Sequence, residues 1–516
     1  MKKSTIGFFL ILIVGLAGIL IWRYFKPLIF EKKQLLTSDA ADSSYTIKIG
    51  GDNYLGYWFI TSPEMKKLAA RKGLQIDFND DQGAYADRLG KFDRKKYDCI
   101  VLPINSYLEH GAQYHYPGVI VASISESKGA DGIVGFEKSI PSNKINDINN
   151  SNLKIVFTSD SPSSFLMNLT IADFDLDQLQ NDRNWQVKVY NASDVLKHAK
   201  RGKGDLFILW EPDLSKALKI KGMKYIWGSD KFSGYIVDVM VFHRDFLERH
   251  PEAVNMFLSS YFRVLDLYAI NQENLIDQMI KSTNLKKQVI LDIMKKIEWH
   301  NLSENCRLQF GIKSGTDSSY NIREGVINTI IACTDVLIRT GKMKKDPLNG
   351  NPYRITHSKI LEELSNTQIM SVTEQTKHPV FSKLAKSEWA RLIEVGTFRV
   401  EPITFQSWNN ELADESKEKI KKIANLLINN YPSYRIIIRG HTGPGGNEKE
   451  NIKLSSRRAK AVSTYLTENF DVNKNRIHTE GVGSSKPALR KNGESERAYQ
   501  YRLSRVEFIA LQMNPF

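Results

Sequence analysis

The chain has 516 residues, enough for two or three domains, and its 41% hydrophobic and 25% charged content is ordinary for globular protein. Its net charge of +14 favours anionic neighbours, but the lysines are spread along the chain without an arginine-rich arm, which argues against nucleic acid as a partner. The three cysteines form no CxxC pair, which argues against a zinc site or a disulfide framework.

The N-terminus carries an uncharged run from Ser4 to Trp22, with lysines before it and Arg23 and Lys26 after it. A run of this length can cross a bilayer as a helix, which needs about 20 residues. A cleaved signal peptide has a shorter apolar core and an A-x-A-like exit, and neither is present. We therefore expect residues 1–30 to be a signal-anchor transmembrane helix and residues 31–44 to be a polar stalk.

Residues 45–345 alternate short apolar runs with amphipathic stretches of helical period. The strand-forming runs are YTIKIGG (45–51), QIDFND (75–80), DCIVLPI (98–104), GVIVASIS (118–125), LKIVFTS (153–159), GDLFILW (204–210) and IVDVMVFH (236–243). Strands that alternate with helices in this way predict an α/β fold with open, mostly parallel sheets.

The pattern changes after residue 345. Residues 346–399 are less regular and are predicted to be a connector between domains. From Ile403 a compact βαβαβ pattern begins, with an amphipathic helix in 411–432 and strands in YRIIIRG (434–440), RIHTEGVG (476–483) and SRVEFIAL (504–511). Residues 400–516 are therefore expected to form a separate domain.

Spaced motifs in this last part carry a resemblance. They are GHTGPGGNEKENIKLSSRRA (440–459), then GVGSSKP (481–487), then RVE (505–507). Their order resembles the OmpA-like peptidoglycan-binding domain, whose pattern is G-H-T-D, N-x-x-L-S-x-x-R-A, G-x-G-x-x-x-P and N-R-R-V-E. The resemblance covers about the last 115 residues and implies an α+β domain that binds the diaminopimelate of the wall's stem peptide.

Arg458 lies four residues after Leu454 and four before Val462, and so on the apolar side of its helix. A guanidinium placed there needs a partner, since burying it unpaired is costly. The resemblance implies a stem-peptide carboxylate, and an internal salt bridge to Glu480 or Glu507 is the alternative. The residues expected to bind peptidoglycan are Thr442, Asn451, Arg458 and Arg505.

Three positions, in two of the motifs, depart from the family pattern. Gly443 stands where the family has the aspartate that pairs with the amine of the same stem residue. Leu503 and Ser504 replace the first two residues of the N-R-R triplet. Half of the expected ligand clamp is therefore missing, and Asn447, Glu448 or Glu450 could supply a polar contact instead.

The central part resembles type-2 periplasmic solute-binding proteins of the nitrate, sulfonate, taurine and thiamine-precursor branch. The matching pieces are IKIGGDNYLGYW (47–58), YDCIVLPINSYLEHG (97–111), DGIVGFEKSI (131–140) and GDLFILWEPDLSKA (204–217). The resemblance implies two α/β lobes with a cleft between them, with the chain crossing over near Gly135 and returning near Val237.

Ligands of open α/β sheets bind at the turns beyond the carboxyl ends of strands. Four turns qualify here: 52–58, 105–106, 160–164 and 210–212. Their serines suit an anion and their carboxylates suit an amine, although helix capping and core packing are the alternatives for the serines and tryptophans. The candidate solute-binding residues are Asp52, Tyr54, Tyr57, Asn105, Asp160, Ser161, Ser163, Ser164 and Glu211.

The sequence contains no P-loop, G-x-S-x-G or H-E-x-x-H motif, so we expect no enzyme activity, no cofactor and no metal site. We expect a single-pass inner-membrane protein with its bulk in the periplasm, which captures or senses a small anionic or zwitterionic solute near peptidoglycan. An ABC permease is one candidate partner.

Two other functions stay open. The central module could have no ligand and serve as a scaffold. A stator-like tether between membrane and wall is the second, but it would need an acidic residue in the span, and residues 4–22 have none.

Overall fold

A computed structural model describes residues 44–141, 144–313, 322–367, 379–406, 411–490 and 493–513. The predicted transmembrane anchor and all but the last residue of the predicted stalk lie outside these ranges. Among the helices of the described ranges, none is both long and apolar enough to cross a membrane.

The described chain forms three β-sheets. The strands are β1 (Tyr45–Gly51), β2 (Leu74–Asp80), β3 (Cys99–Pro103), β4 (Gly118–Ser127), β5 (Asp131–Phe136), β6 (Ile155–Thr158), β7 (Gln186–Val189), β8 (Leu206–Trp210), β9 (Met223–Gly228), β10 (Val237–His243), β11 (Ile297–Trp299), β12 (Ile393–Phe398), β13 (Arg435–Gly440), β14 (Ile477–Gly481) and β15 (Val506–Gln512).

Helices cover the faces of these sheets. They are α1 (Trp58–Thr61), α2 (Pro63–Arg71), α3 (Tyr85–Asp93), α4 (Ile104–Gly111), α5 (Pro162–Asp173), α6 (Asp177–Asn181), α7 (Ala192–Lys200), α8 (Asp213–Ala217), α9 (Arg244–Arg249), α10 (Pro251–Ile270), α11 (Gln272–Thr283), α12 (Lys287–Met294), α13 (Leu302–Glu304), α14 (Gly325–Arg339), α15 (Lys359–Thr367), α16 (Lys386–Trp389), α17 (Asp414–Asn425), α18 (Glu448–Asn469) and α19 (Glu496–Leu503).

Two sheets build two α/β lobes, which confirms the expected mixed α/β fold. The first sheet has the order β11-β4-β10-β3-β1-β2 and the second has the order β7-β6-β8-β5-β9. In each sheet four strands run in one direction, β1, β2, β3 and β4 in the first and β6, β7, β8 and β9 in the second. Strand β10 or β5 runs antiparallel between the fourth of them and the other three. The chain passes to the second sheet between Ser127 and Asp131, a few residues before Gly135, and returns between Gly228 and Val237.

Residues 346–367 were predicted to belong to a connector, but they pack on the first lobe. Thr356 forms a parallel bridge with Ile120 of β4, and the His357 N–H donates to the Ile120 carbonyl at 2.9 Å. Helix α15 then contacts α10, and its Ile360, Leu361 and Leu364 are buried. Apolar residues at helical spacing fix this segment to the lobe.

The third sheet, of order β12-β15-β13-β14, belongs to the C-terminal part. Its first strand, β12, begins at Ile393, so the sheet starts before the boundary predicted at residue 400. β12 pairs antiparallel with β15, the last strand of the chain, and buries Val395 and Phe398. A short strand that contains Gly396 and pairs over such a distance leaves little signal in the sequence.

The C-terminal sheet packs against the second lobe. The Phe174 and Phe398 rings stack with centroids 5.4 Å apart, and the two residues form an antiparallel backbone bridge. The Arg399 N–H donates to the Asp173 carbonyl at 2.8 Å. One apolar core therefore runs from the second lobe into the C-terminal part.

A single buried carboxylate ties this interface together. Asp173 is 1% exposed, and its Oδ2 accepts from the hydroxyls of Tyr235 and Tyr431, each at 2.8 Å. Its Oδ1 accepts from Arg339 Nη2 at 2.8 Å. These partners come from the return crossover, the C-terminal part and helix α14, so one ion joins four segments. The charge is compensated by Arg339 and by two hydroxyl donors, as burial of a carboxylate requires.

Replacing Tyr431 with phenylalanine removes one hydrogen bond to Asp173 and keeps the ring. We expect the free energy of unfolding to fall by about 1.5–3 kcal/mol, the usual range for a hydrogen bond to a charged group. Urea denaturation followed by circular dichroism measures the change. Tyr465, which packs on Phe470 in the same domain, is the control, and its replacement by phenylalanine should change stability by less than about 0.5 kcal/mol. Equal losses in both variants would contradict the role given to Asp173.

Candidate functional site

The four turns selected from the sequence follow β1, β3, β6 and β8. β1 and β3 are neighbours in the first sheet, and β6 and β8 are neighbours in the second. Helices α4 and α5, which follow β3 and β6, contact each other across the lobes. The turns therefore lie at the junction of the two lobes, which we call the cleft, at the carboxyl ends of the strands.

The three candidate carboxylates are each paired with a cation of the chain. Asp52 Oδ2 accepts from Arg88 Nη2 at 2.9 Å, and Arg88 is fully buried. Asp160 Oδ1 lies 3.4 Å from Lys342 Nζ, which also contacts Glu109 of the first lobe at 3.1 Å.

Glu211 pairs with Lys296, a residue of the first lobe. It also accepts a hydrogen bond from the Ser215 hydroxyl at 2.8 Å. The pairs made by Asp160 and Glu211 thus tie the second lobe to the first.

The candidate serines bind the backbone around their own helix. Ser161 Oγ donates to the Thr158 carbonyl and Ser164 Oγ donates to the Ser161 carbonyl, both at 2.8 Å. Ser163 Oγ lies 3.4 Å from the Ile208 carbonyl. Ser164 Oγ also accepts from the Ser161 N–H at 3.1 Å, one half of a capping box, while Ser163 contacts strand β8. For Ser161 and Ser164 these contacts fit helix capping, the alternative that the sequence had left open.

Polar atoms without a partner remain near the same strand ends. Within the described residues, the Tyr54 hydroxyl and Asn105 Oδ1 are buried and make no hydrogen bond. Two residues that the sequence did not single out share this property, Ser125 of β4 and Thr158 of β6. Buried polar atoms are nearly always satisfied in proteins, so such a group indicates water or a ligand.

Two further buried carboxylates lie at this cleft, and neither was predicted. Asp238 begins the return strand β10 and accepts from the Tyr57 hydroxyl, and Asp131 begins β5 and accepts from Ser127 Oγ at 2.7 Å. Burial raises the pKa of Asp131 to about 6, with Ser127 opposing the shift and Glu211 adding to it. Burial also raises the pKa of Asp238 well above its usual value, and the charges of Asp131 and Asp52 raise it further.

In the C-terminal part, two glycines let strand ends lie directly on helix α18. A Cβ at Gly440 would stand 2.1 Å from the Ser455 carbonyl oxygen, and one at Gly481 would stand 2.3 Å from the Ser456 nitrogen. Only glycine permits this approach. Ser455 Oγ then accepts from the Gly483 N–H at 3.0 Å, which fixes the loop after β14 on the helix.

Arg458 lies at the border of the buried face of α18, which is formed by Ser455, Ala459, Val462 and Leu466. Its Nη1 donates to Ser504 Oγ at 2.9 Å, and its guanidinium lies over the Phe405 ring, 5.0 Å from the centroid. Partial burial lowers the pKa of Arg458. Ser504, one of the two departures from the N-R-R triplet, thus contacts Arg458 directly.

The two carboxylates considered as internal partners of Arg458 bind other cations. Glu480 pairs with Arg439, and Glu507 accepts from Arg505 Nε and Nη2 at 2.8 and 2.6 Å. Arg505 Nη2 also lies 3.2 Å from the Lys486 carbonyl. Arg505, a predicted ligand contact, therefore binds Glu507 and the backbone of the loop that follows β14.

The loop that follows β13 leaves space and one unsatisfied hydroxyl. Thr442 is buried, and within the described chain its Oγ1 has no hydrogen-bond partner. A Cβ at Gly443 would meet no atom within 4 Å. Asn451 Nδ2 donates to the Gly445 carbonyl at 2.8 Å, and Asn447 caps α18, so these two amides shape the loop.

Glu507 is held ionised in this network. Burial opposes its charge, but His441 Nε2 at 3.0 Å and Arg505 outweigh burial and lower the pKa of Glu507 from 4.5 to about 2. A lowered pKa in the folded state stabilises the fold above the unfolded-state value, and the contribution is lost as the pH falls from about 4.5 towards 2.

Replacing Glu507 with glutamine should therefore destabilise the protein by about 1–3 kcal/mol at pH 7, and by less than half as much at pH 3. Thermal unfolding of both proteins at the two pH values measures the difference. If the difference in stability between the two proteins were the same at pH 7 and pH 3, the ion pairs of Glu507 would not contribute to the stability of the fold.

Comparison with known proteins identifies the C-terminal part. A sequence model of the OmpA family matches residues 404–501. Outer membrane porin F from Pseudomonas aeruginosa is 31% identical over 101 residues, 20% of this chain and 29% of that protein. The peptidoglycan-associated lipoprotein from Buchnera aphidicola is 32% identical over 93 residues, 18% of this chain and 53% of that protein.

The matched part of the chain thus spans less than a third of the porin's length and about half of the lipoprotein's. Among solved structures, the periplasmic aliphatic sulphonate binding protein SsuA from Escherichia coli is similar over 66% of this chain and 98% of its own, at 15% identity and a TM-score of 0.45. The family match, the spaced motifs and the βαβαβ core agree: the C-terminal part of the chain is an OmpA domain.

Proposed function

We propose that this protein is a cell-envelope receptor in which the OmpA domain binds peptidoglycan and the two-lobed module binds a small solute. The proposal is supported by the family match over residues 404–501 and by the buried polar atoms without a partner, among the described residues, where the two lobes meet. Since the OmpA domain packs on the second lobe through Asp173, the solute-binding module would stand at a fixed position relative to the wall.

The observation that carries wall binding is the position of Arg458. Its guanidinium is half-buried at the edge of α18, over the Phe405 ring and beside Ser504. A planar guanidinium in such a place can bind a carboxylate through two parallel hydrogen bonds. The carboxylate of a stem-peptide diaminopimelate is the proposed ligand, and the buried Thr442 hydroxyl is the second proposed contact.

The proposed setting is the periplasm, with the N-terminal run 4–22 as a single inner-membrane anchor. With the N-terminus inside, both folded modules would face the wall. An ABC permease, or another membrane partner that reads the state of the lobes, would receive the solute or the signal.

A scaffold without a solute is the second candidate function. It is favoured by Asp160 and Glu211, two predicted ligand contacts that instead pair with Lys342 and Lys296 across the lobes. In that case the lobes would form a fixed spacer between membrane and wall, and no small molecule would raise the melting temperature.

Arg458→Ala should reduce co-sedimentation of the full chain, kept in mild detergent, with purified peptidoglycan sacculi about tenfold or more. A charge-assisted hydrogen bond is worth about 1.5–3 kcal/mol, and 1.4 kcal/mol corresponds to tenfold. Arg457→Ala is the matched control, because it removes the same charge from an exposed position one residue away and should leave binding within about twofold. If both variants lost the same amount of binding, sacculus binding would depend on the net charge of the domain and not on the position of Arg458, which would contradict the proposed site.

Gly443→Asp should strengthen binding to sacculi several-fold. The position has room for a side chain, and an added carboxylate could pair with the amine of the same stem residue, for about 1 kcal/mol. Dissociation constants from sedimentation at a series of sacculus concentrations test this. Unchanged binding in Gly443→Asp, with intact sensitivity to Arg458→Ala, would show that the ligand's amine lies elsewhere.

A further inference from the structure

The strongest unexplained feature is the set of buried acidic and aromatic groups where the first lobe meets the return crossover. Asp238 is 2% exposed and Asp131 is 4% exposed. Within the described residues, neither carboxylate forms a salt bridge with a lysine or arginine; their hydrogen-bond donors are Tyr57 and Ser127. The guanidinium of Arg88 forms its ion pairs with Asp52 and Asp81, and its charge acts on Asp238 only from a distance.

Strand pairing places the surrounding polar groups next to Asp238. In the first sheet, Asp238 lies opposite Pro103 of β3 on one side and Ser125 of β4 on the other. Paired residues on neighbouring strands have Cα atoms about 5 Å apart, so Ser125 and the start of α4 adjoin the carboxylate. Ser125 is fully buried, and its Oγ has no partner in the described chain.

Two tyrosine rings complete the set. The Tyr54 and Tyr57 rings lie edge to face, with centroids 5.3 Å apart, and the Tyr57 hydroxyl donates to Asp238. A Cβ at Gly56 would touch both the Tyr54 ring and Ser125 Oγ, so this ring and this hydroxyl are adjacent. Ser127, which donates to Asp131, lies two residues beyond Ser125 on β4 and so on the same face of the strand, which places Asp131 on the side of the sheet that carries Asp238. Burial raises the pKa of Tyr54, and the charges of Asp238, Asp131 and Asp52 raise it further.

We propose that this set binds a small organic cation, with its positively charged nitrogen between Asp238 and Asp131 and against the Tyr54 and Tyr57 rings. The inference rests on the proposed solute-binding function and narrows its ligand class. A buried carboxylate without a cation is costly, and a bound ammonium group removes that cost. Aromatic faces add cation–π attraction for any organic cation, and Asn105 Oδ1 and Ser125 Oγ can accept hydrogen bonds from a ligand that carries N–H groups, such as a primary ammonium.

A free anion fits the same place poorly. It would meet the carboxylates of Asp238 and Asp131, whereas the serine hydroxyls that could have received it, Ser161 and Ser164, donate to backbone carbonyls. The sequence had favoured an anionic or zwitterionic solute, from those serines together with the carboxylates of the same turns. The cleft therefore recognises the positively charged part of its ligand.

The test is the melting temperature of the full chain with choline, putrescine, ethanesulfonate or nitrate at equal ionic strength. We expect choline or putrescine at saturating concentration to raise it by at least about 2 °C, and ethanesulfonate and nitrate to leave it unchanged. Asp238→Asn and Asp131→Asn should each raise at least tenfold the cation concentration that gives half of the melting-temperature shift. Asp194→Asn, which alters a surface carboxylate paired with Lys197, should change that concentration by less than about twofold.

Stabilisation by ethanesulfonate or nitrate without a cation response would overturn the inference and leave the solute-receptor role standing. A flat response to all four compounds would contradict both, while wall binding through Arg458 would be judged separately by sedimentation. A cation response that is equally strong in Asp238→Asn and Asp131→Asn would also overturn the inference. The comparison of cations with anions on the unmodified chain needs no variant to fold.

Discussion

The hydrogen bonds to Asp173 are the constraint on which the arrangement of the molecule depends. This carboxylate ends a buried helix of the second lobe, and it holds Tyr235 of the return crossover, Tyr431 of the OmpA domain and Arg339 of α14 at once. A buried charge of this kind loses its compensation if any partner leaves. The OmpA domain, the crossover and the second lobe are therefore held in one arrangement, and the cleft has a fixed orientation towards the domain proposed to bind the wall.

Much of this fold follows from local patterns in the sequence. The apolar runs predicted seven of the eleven strands of the two lobes, and β5, β7, β9 and β11 were not among them. The Asp173 contacts were not predictable in this way. Its partner Tyr431 lies 258 residues further along the chain, and no periodicity or motif connects the two. For the same reason β12, whose partner in the sheet is the last strand of the chain, was assigned to a connector.

The cleft shows a similar division. The rule that ligands bind beyond strand ends selected turns that lie where the two lobes meet, but it could not tell which side chains there already have partners. Lys296 and Lys342 neutralise Glu211 and Asp160 across the lobes, and both lysines come from segments far away in the sequence. The sequence did hold one overlooked signal, the lone carboxylate of Asp238 inside the apolar run IVDVMVFH. Burying a single acidic side chain in an apolar strand costs free energy unless a hydrogen-bond donor or a cation compensates it.

The most direct measurement of the fixed arrangement is the distance between spin labels on the second lobe and on the OmpA domain. Lys197→Cys on α7 and Lys453→Cys on α18 are exposed positions, whereas the native Cys99, Cys306 and Cys333 are buried. Pulsed electron paramagnetic resonance on the full chain should give one narrow distance distribution, unchanged by sacculi. A broad distribution, such as a flexible linker gives, would contradict the claim that the Asp173 contacts hold the two modules together.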